Sequence, residues 1–478
     1  MRLLLALLTI LLATPALAAD PDLILRGELT GADHETYRKT AFDVPAGVTR
    51  VTVEVAATGK ERRTVVDLGV MDGERFRGWS GGTRTRFTLS AEDATPGYLR
   101  GPIRPGRWTL LMGLPNVRKD SRDTYEAKVW FERGESVAGF SDTPLKTGRA
   151  WWRGDLHMHT GHSDGSCLGV GGQRTPCPLY KTVERARGLG LDFVSITDHN
   201  TTAHFDFMRE LQPSHPDLLL MPGREITTFL GHANVFGPTR FIDFKLAPGD
   251  TTVGALLDDV ATAGGVISIN HPALPSGEAC MGCGWVAKDT DYAKVQAIEV
   301  VNGGTMKQVG DAEGMFSAIA FWETQLNAGY RLTAIGGSDN HDADQVDGWG
   351  AIGRPVTVIQ AAELSTPALL DGVRAGRVFI DMDGVKGRTL DLTARAGEAS
   401  AAMGGVLAVR AGTKVRFAVQ SAGVEGARIE VVTDGVKAPG EAAFERNFAK
   451  GRHWVRVNIR AADGRLLLIG NPIYVEAT

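Results

Sequence analysis

Between residues 149 and 388 the chain alternates short apolar runs with helical stretches, and one run after another stops on an imidazole or a carboxylate. "LDFVSITDHN", "DLLLMPGREITT", "GGVISINHP", "QAIEVVNGG" and "RLTAIGGSDNH" read as strands. "YKTVERARGLG", "TVGALLDDVATAGG" and "MFSAIAFWETQLNAGY" carry apolar residues at helical spacing. Such alternation predicts an α/β barrel or a doubly wound sheet. In a barrel, chemistry sits at the C-terminal ends of the strands. That is where the polar groups gather here: Asp198-His199, Glu225 with His232, His271, and Asp339-x-His341.

A further cluster precedes them. "WWRGDLHMHTGHSDG" holds three of the 11 histidines of the chain. Side chains alternate along a strand, so His157 and His159 share a face. Alone, a His-x-His pair reads equally as two hydrogen-bonded histidines. Together with the other strand ends it places six imidazoles and several carboxylates on one rim, a donor set that suits divalent cations.

In order, "DLHMHTGHSDG", "ITDHN", "GREITTFLGHANVFG", "INHP" and "GGSDNH" resemble the motifs of the PHP (polymerase and histidinol phosphatase) superfamily. The "EVVNG" strand and the flanking β segments resemble its CehA/McbA-type secreted branch. The resemblance covers about half of the chain. It implies a distorted seven-stranded β/α barrel with a hydrolytic centre of two or three divalent ions (Mn, Fe or Zn). It assigns His157, His159 and Asp339 to one ion, with Glu225 bridging to a second that takes His271 and His232. A third ion takes His199, His341 and Asp164. Asp198 and Asn200 flank His199 and orient or line the site.

Two cations about 3.5–4 Å apart can share a hydroxide and lower its pKa, so no serine nucleophile is needed. Neither Ser163 nor Ser166 lies in a nucleophile-elbow pattern. Glu225, Asp198 and Arg224 are the candidate catalytic groups. Asn270, Asn302 and Asn340 adjoin the motifs, as substrate contacts or as ordinary loop hydrogen bonders. His162 is expected to face solvent or substrate, and His34, His204, His215 and His453 to serve surface or packing roles. The expected activity is that of a metal-dependent hydrolase, a phosphoesterase acting on a small-molecule or ester substrate. Hydrolysis of carbamate or carboxylic esters on the same centre is one alternative. A catalytically inert surface- or carbohydrate-binding protein is another.

The flanks are β-patterned. Residues 20–135 contain alternating runs such as "VTRVTVEVAA" and "TYEAKVWFE", and residues 389–478 contain "TKVRFAVQSA" and "HWVRVNIRAADG". Each is expected to form a β-sandwich around the catalytic domain of residues 149–388, with a linker at 136–148. A chain of 478 residues exceeds one core. Arg2, the apolar run Leu3–Leu12 and the small-x-small site Ala16-Leu17-Ala18 read as a secretory signal over residues 1–18. The expected location is therefore periplasmic or extracellular, with no membrane span in the mature chain. A net charge of −4 gives no reason to expect nucleic acid. The four cysteines, Cys167, Cys177, Cys280 and Cys283, read as disulfides for an oxidising compartment or as a zinc knuckle. The oligomeric state is not legible.

Overall fold

A computed structural model describes residues 20–73, 75–82, 84–134, 140, 142–277 and 282–478. The signal segment and Cys280 lie outside these. The chain divides into two compact units, residues 1–136 and 137–478. Among the described residues no helix is long and apolar enough to cross a membrane.

The first unit consists of two antiparallel four-stranded sheets. Alternation dictates their packing. In the strand Gly106–Asn116, Trp108, Leu110, Met112 and Leu114 are buried. They meet Val51, Val53, Phe87 and Val129 in one core.

In the second unit the elements that position the site are β1 (Lys146–Asp155), β2 (Phe193–Ile196), β3 (Leu219–Thr228), β4 (Gly231–Phe236), β5 (Val266–Ile269), β6 (Ala297–Asn302), β7 (Thr333–Gly337), β8 (Val356–Leu364) and β9 (Val378–Asp381). The helices are α1 (Leu179–Gly188), α2 (His204–Leu211), α3 (Val253–Thr262), α4 (Gly303–Val309), α5 (Ala318–Asn327) and α6 (Thr366–Arg374). Several start on side-chain caps. Thr252 accepts from Ala255 N, and Ser365 from Ala368 N ahead of a proline in the first turn. α3 buries Val253, Leu256, Leu257 and Val260 against the sheet, the face that its spacing predicts.

The sheet is mixed and long. β1 to β3 pair in parallel, as do β5 to β7. β3–β4 and β4–β5 are antiparallel. The expected strand–helix alternation therefore fails here. Only Phe229 and Leu230 separate β3 from β4, which leaves room for a hairpin turn and none for a helix. Beyond β1 the same sheet continues through antiparallel β8 and β9 to the strand Leu466–Gly470. The strand Thr389–Ala396 opens a separate four-stranded sheet, while later strands rejoin the long one. The architecture shown is a strand-rich mixed sheet flanked by short helices, and the closed barrel expected from the motifs is not displayed as such.

Candidate metal centre

The first and last strands of the row β1–β7 meet at their ends. Asp339 N donates to His157 O (2.8 Å) and His159 N to Asn340 O (2.7 Å), so residues 156–159 run parallel to the segment after β7. Asp155, fully buried, fixes this junction by accepting from the backbone N–H groups of His157, Ser338 and Gly353. His271 and Asp339 have positive φ, 27° and 50°. Side chains there are strained, a cost that active sites retain where geometry demands it.

These ends bring the motif residues together as three overlapping groups. His159, Asp164, His199 and His341 form one; His157, His159 and Asp339 a second; His157, Glu225 and His271 a third. In each group the donor atoms lie within 4.8 Å of one another. Glu225 is central. Its carboxylate is 2.8 Å from His199 Nδ1, 3.3 Å from His232 Nδ1, 3.5 Å from His157 Nε2 and 3.6 Å from His159 Nε2 and His271 Nε2. Asp164, on the exposed side, lies 3.4 Å from His341 and 3.5 Å from His199. His232 touches Glu225 and joins none of the three groups.

Outer partners set the direction of three of the imidazoles. His157 Nδ1 is 2.8 Å from Glu299 Oε1, and Glu299 Oε2 accepts from His271 N and Asn302 Nδ2. His271 Nδ1 is 2.9 Å from the carbonyl of Cys283, and His341 Nδ1 is 3.0 Å from that of Asp339. Both rings thereby present Nε2 to the cluster, the arrangement by which proteins aim metal-binding imidazoles. Glu299 was not among the sequence candidates. Its only signal was one carboxylate in the otherwise apolar run of β6.

Electrostatics fit a cation site. Burial opposes charge on His157, but the carboxylates of Glu299, Asp339 and Glu225 outweigh it and hold its pKa well above the ordinary imidazole value. Burial and the neighbouring His341 and His199 push His159 down to about 4. Glu225 is held well below the usual carboxylate range against its own burial, first by His157. Buried His157 Nε2, His159 Nδ1 and His232 Nε2 make no hydrogen bond. Buried nitrogens without a hydrogen bond, among carboxylates that accept only, are what ions of imidazole and carboxylate preference would satisfy.

Two expected catalytic residues stand elsewhere. Asp198 is fully buried and turned to the His162-Ser163 turn, accepting from Thr160 N, Thr160 Oγ1 and Ser163 Oγ. Arg224 alternates with Glu225 on β3, so it faces the other side and donates to the carbonyl of Arg240. Asn200 holds the segment after β3's Glu225 by bonding Thr227 N and O. Asn270 donates to Glu225 Oε1 at 2.9 Å, and Asn340 to the Gly350 carbonyl. His162 packs on Phe207 and bonds Thr160, outside the groups. His204 is buried between the carbonyls of Ile196 and Gly223, while His215 and His453 pair with Glu184 and Asp434.

Cys167 and Cys177 are buried free thiols. Burial and the neighbouring Cys167 thiol push Cys177 up to about 12. These two therefore do not pair, while Cys283 is disulfide-bonded; the sequence leaves the pairing of the four cysteines open. Cys280, on which the knuckle depends, lies outside the described residues.

Asp164, His199, Glu225, His271, Asp339 and His341 of these groups line a cavity of about 490 Å³, whose lining also includes Arg174, Lys307 and Gln345. A larger cavity, about 640 Å³, lies between the end of α5 and the C-terminal strands, lined by Tyr292, Tyr330, Trp454 and Tyr474. It includes none of the three donor groups, so the smaller cavity is the candidate site.

Two solved structures are similar. One is a two-domain protein from Bacteroides vulgatus containing a predicted PHP-like metal-dependent phosphoesterase. It is 18% identical with a TM-score of 0.38, over 71% of this chain and 99% of the other. The second, from Bifidobacterium adolescentis, is named for a metal-dependent phosphoesterase. It is 19% identical with a TM-score of 0.31, over 46% of this chain and 94% of the other. Neither overlap is close enough to decide an activity. No family model and no curated protein matches.

Proposed function

We propose that this protein is an exported, metal-dependent hydrolase of the PHP type acting on phosphoesters. The observation that carries the reading is the chain of three donor groups, the first two sharing His159 and the last two sharing His157. His157, His159, Asp339, Glu225 and His271 would hold two ions, and His199, His341 and Asp164 a third. Divalent cations there supply an activated water and neutralise phosphoryl oxygens.

The chain's own residues do the rest. Glu299 and the carbonyls of Cys283 and Asp339 hold the imidazoles in position. Asn270 fixes the Glu225 carboxylate. Asp198 ties down the turn that carries Asp164. Burial of Glu225, His157 and His159 keeps bulk water from the inner donors. The backbone pairing of residues 156–159 with 339–340, which links the first and last of seven strands, supports reading the row as a distorted barrel. Arg2, the run Leu3–Leu12 and Ala16-Leu17-Ala18 support export.

The test is a hydrolysis panel of phosphomonoesters, phosphodiesters, carboxylic esters and carbamates on protein reconstituted with Mn, Fe or Zn. Metal-dependent turnover of a phosphoester is expected. Turnover of carbamates or carboxylic esters alone would move the reaction class, and no turnover with ions bound would leave a binding protein.

A further inference from the structure

Two basic side chains, Arg174 and Lys307, reach the rim of the 490 Å³ cavity. Their charges are used differently. Arg174 is neutralised, with Nη1 2.6 Å from Asp342 and further bonds to Ser166. Lys307 has no carboxylate within 4 Å among the described residues, and its Nζ donates to the neutral amide oxygen of Gln345 at 3.0 Å. That amide is itself held, because Gln345 Nε2 donates to the carbonyls of Asp347 and Trp349.

The lysine is placed by the metal centre's own framework. Asn302 donates to Glu299 and Asp339 and caps α4 by accepting from Thr305 N. The helix that follows turns Gly304, Thr305, Lys307 and Gln308 toward the cavity, the one-face spacing of a helix. The Lys307 stem lies over Gly350, where an added Cβ would stand 3.6 Å from its Cδ. Asn340, beside ligand Asp339, binds the Gly350 carbonyl at 2.6 Å. Lys307 is exposed, and with no carboxylate beside it among the described residues its held ammonium is available to an anion that enters the cavity.

We propose that Lys307 is a specificity residue that binds a non-reacting oxygen of the substrate, and that the substrate is therefore a dianionic phosphomonoester rather than a monoanionic diester. This rests on the phosphoesterase reading above. The ions and their carboxylate ligands serve either ester, and of the two basic side chains lining this cavity among the described residues, Lys307, unlike Arg174, is not paired with a carboxylate and can match the additional charge of a monoester.

The experiment measures KM and kcat for an aryl phosphomonoester and its aryl alkyl diester, in metal-loaded wild type, Lys307→Gln and Lys307→Arg. A charge-assisted contact of this kind predicts a rise in monoester KM of about tenfold in Lys307→Gln, a diester rise below about threefold, and recovery in Lys307→Arg. Equal changes for both esters, or none, would overturn the proposal. Calorimetric binding of inorganic phosphate to the same proteins separates it from the parent reading. If wild type hydrolyses neither ester, the phosphoesterase reading fails. Lys307's anion role then stands on phosphate binding weakened about tenfold in Lys307→Gln, and falls if that binding is unchanged.

Discussion

At the scale of single residues, the centre depends on carboxylates that touch several imidazoles at once. Glu225 approaches five histidines, so on the proposed reading Glu225→Gln would weaken donors to more than one ion together. Activity is expected to fall at least about a hundredfold. Steady-state assays paired with metal analysis check this, since near-normal turnover at full metal content would remove Glu225 from its bridging place. Glu299 faces His157 and the His271 backbone rather than the cavity. Glu299→Gln keeps the shape and loses the charge that orients His157. Its metal affinity is expected to fall by about 10–100-fold, read by competition with a chromogenic chelator.

At the scale of elements, the loop between α4 and α5 is clamped to the C-terminal strands. Glu313 accepts from both Arg460 Nη atoms at 2.8 Å and from Lys437. Arg460's hydrogen bonds, acting against burial, bring the Glu313 carboxyl down to about 2 from an ordinary 4.5. A depressed carboxyl stabilises the fold above its unfolded value and loses that contribution as pH falls through the folded one. Glu313→Gln should therefore cost about 1 kcal/mol near neutrality, given its partial exposure, with the gap closing as pH falls from 4.5 toward 2. Urea midpoints of both proteins across that range provide the measurement. The same scale shows where sequence reading succeeded and stopped. Most residues of the three donor groups were legible because they follow short apolar runs, next to recognisable turns. β4 was not, since "GHANVF" is buried at all six positions and shows no alternation. Glu299 was hidden because a strand pattern does not say which face meets a histidine 142 residues away. Lys307 was hidden because an exposed lysine on a short helix acquires meaning only from the cavity beside it.

At the scale of the whole molecule, the C-terminal strands do structural work for the unit that bears the site. Leu466–Gly470 pairs with β9, Asn471 bonds Ala334 and Val378, and the buried Arg456 meets Glu323 of α5. A chain ending at residue 388 would expose a sheet edge and leave these groups unpaired. It is expected to be insoluble, whereas residues 137–478 should remain folded and bind metal; gel filtration and circular dichroism of both decide this. The meeting of His159 with Asp339 has a kinetic meaning. They are 180 positions apart, so the centre belongs to the contacts of greatest sequence separation, whose loop-closure entropy is recovered late. Its donors are then unassembled in the folding transition state, and an ion that binds them cannot hasten folding. Adding metal should leave the folding limb of the chevron in place and slow the unfolding limb alone, making the ion a latch on a finished structure.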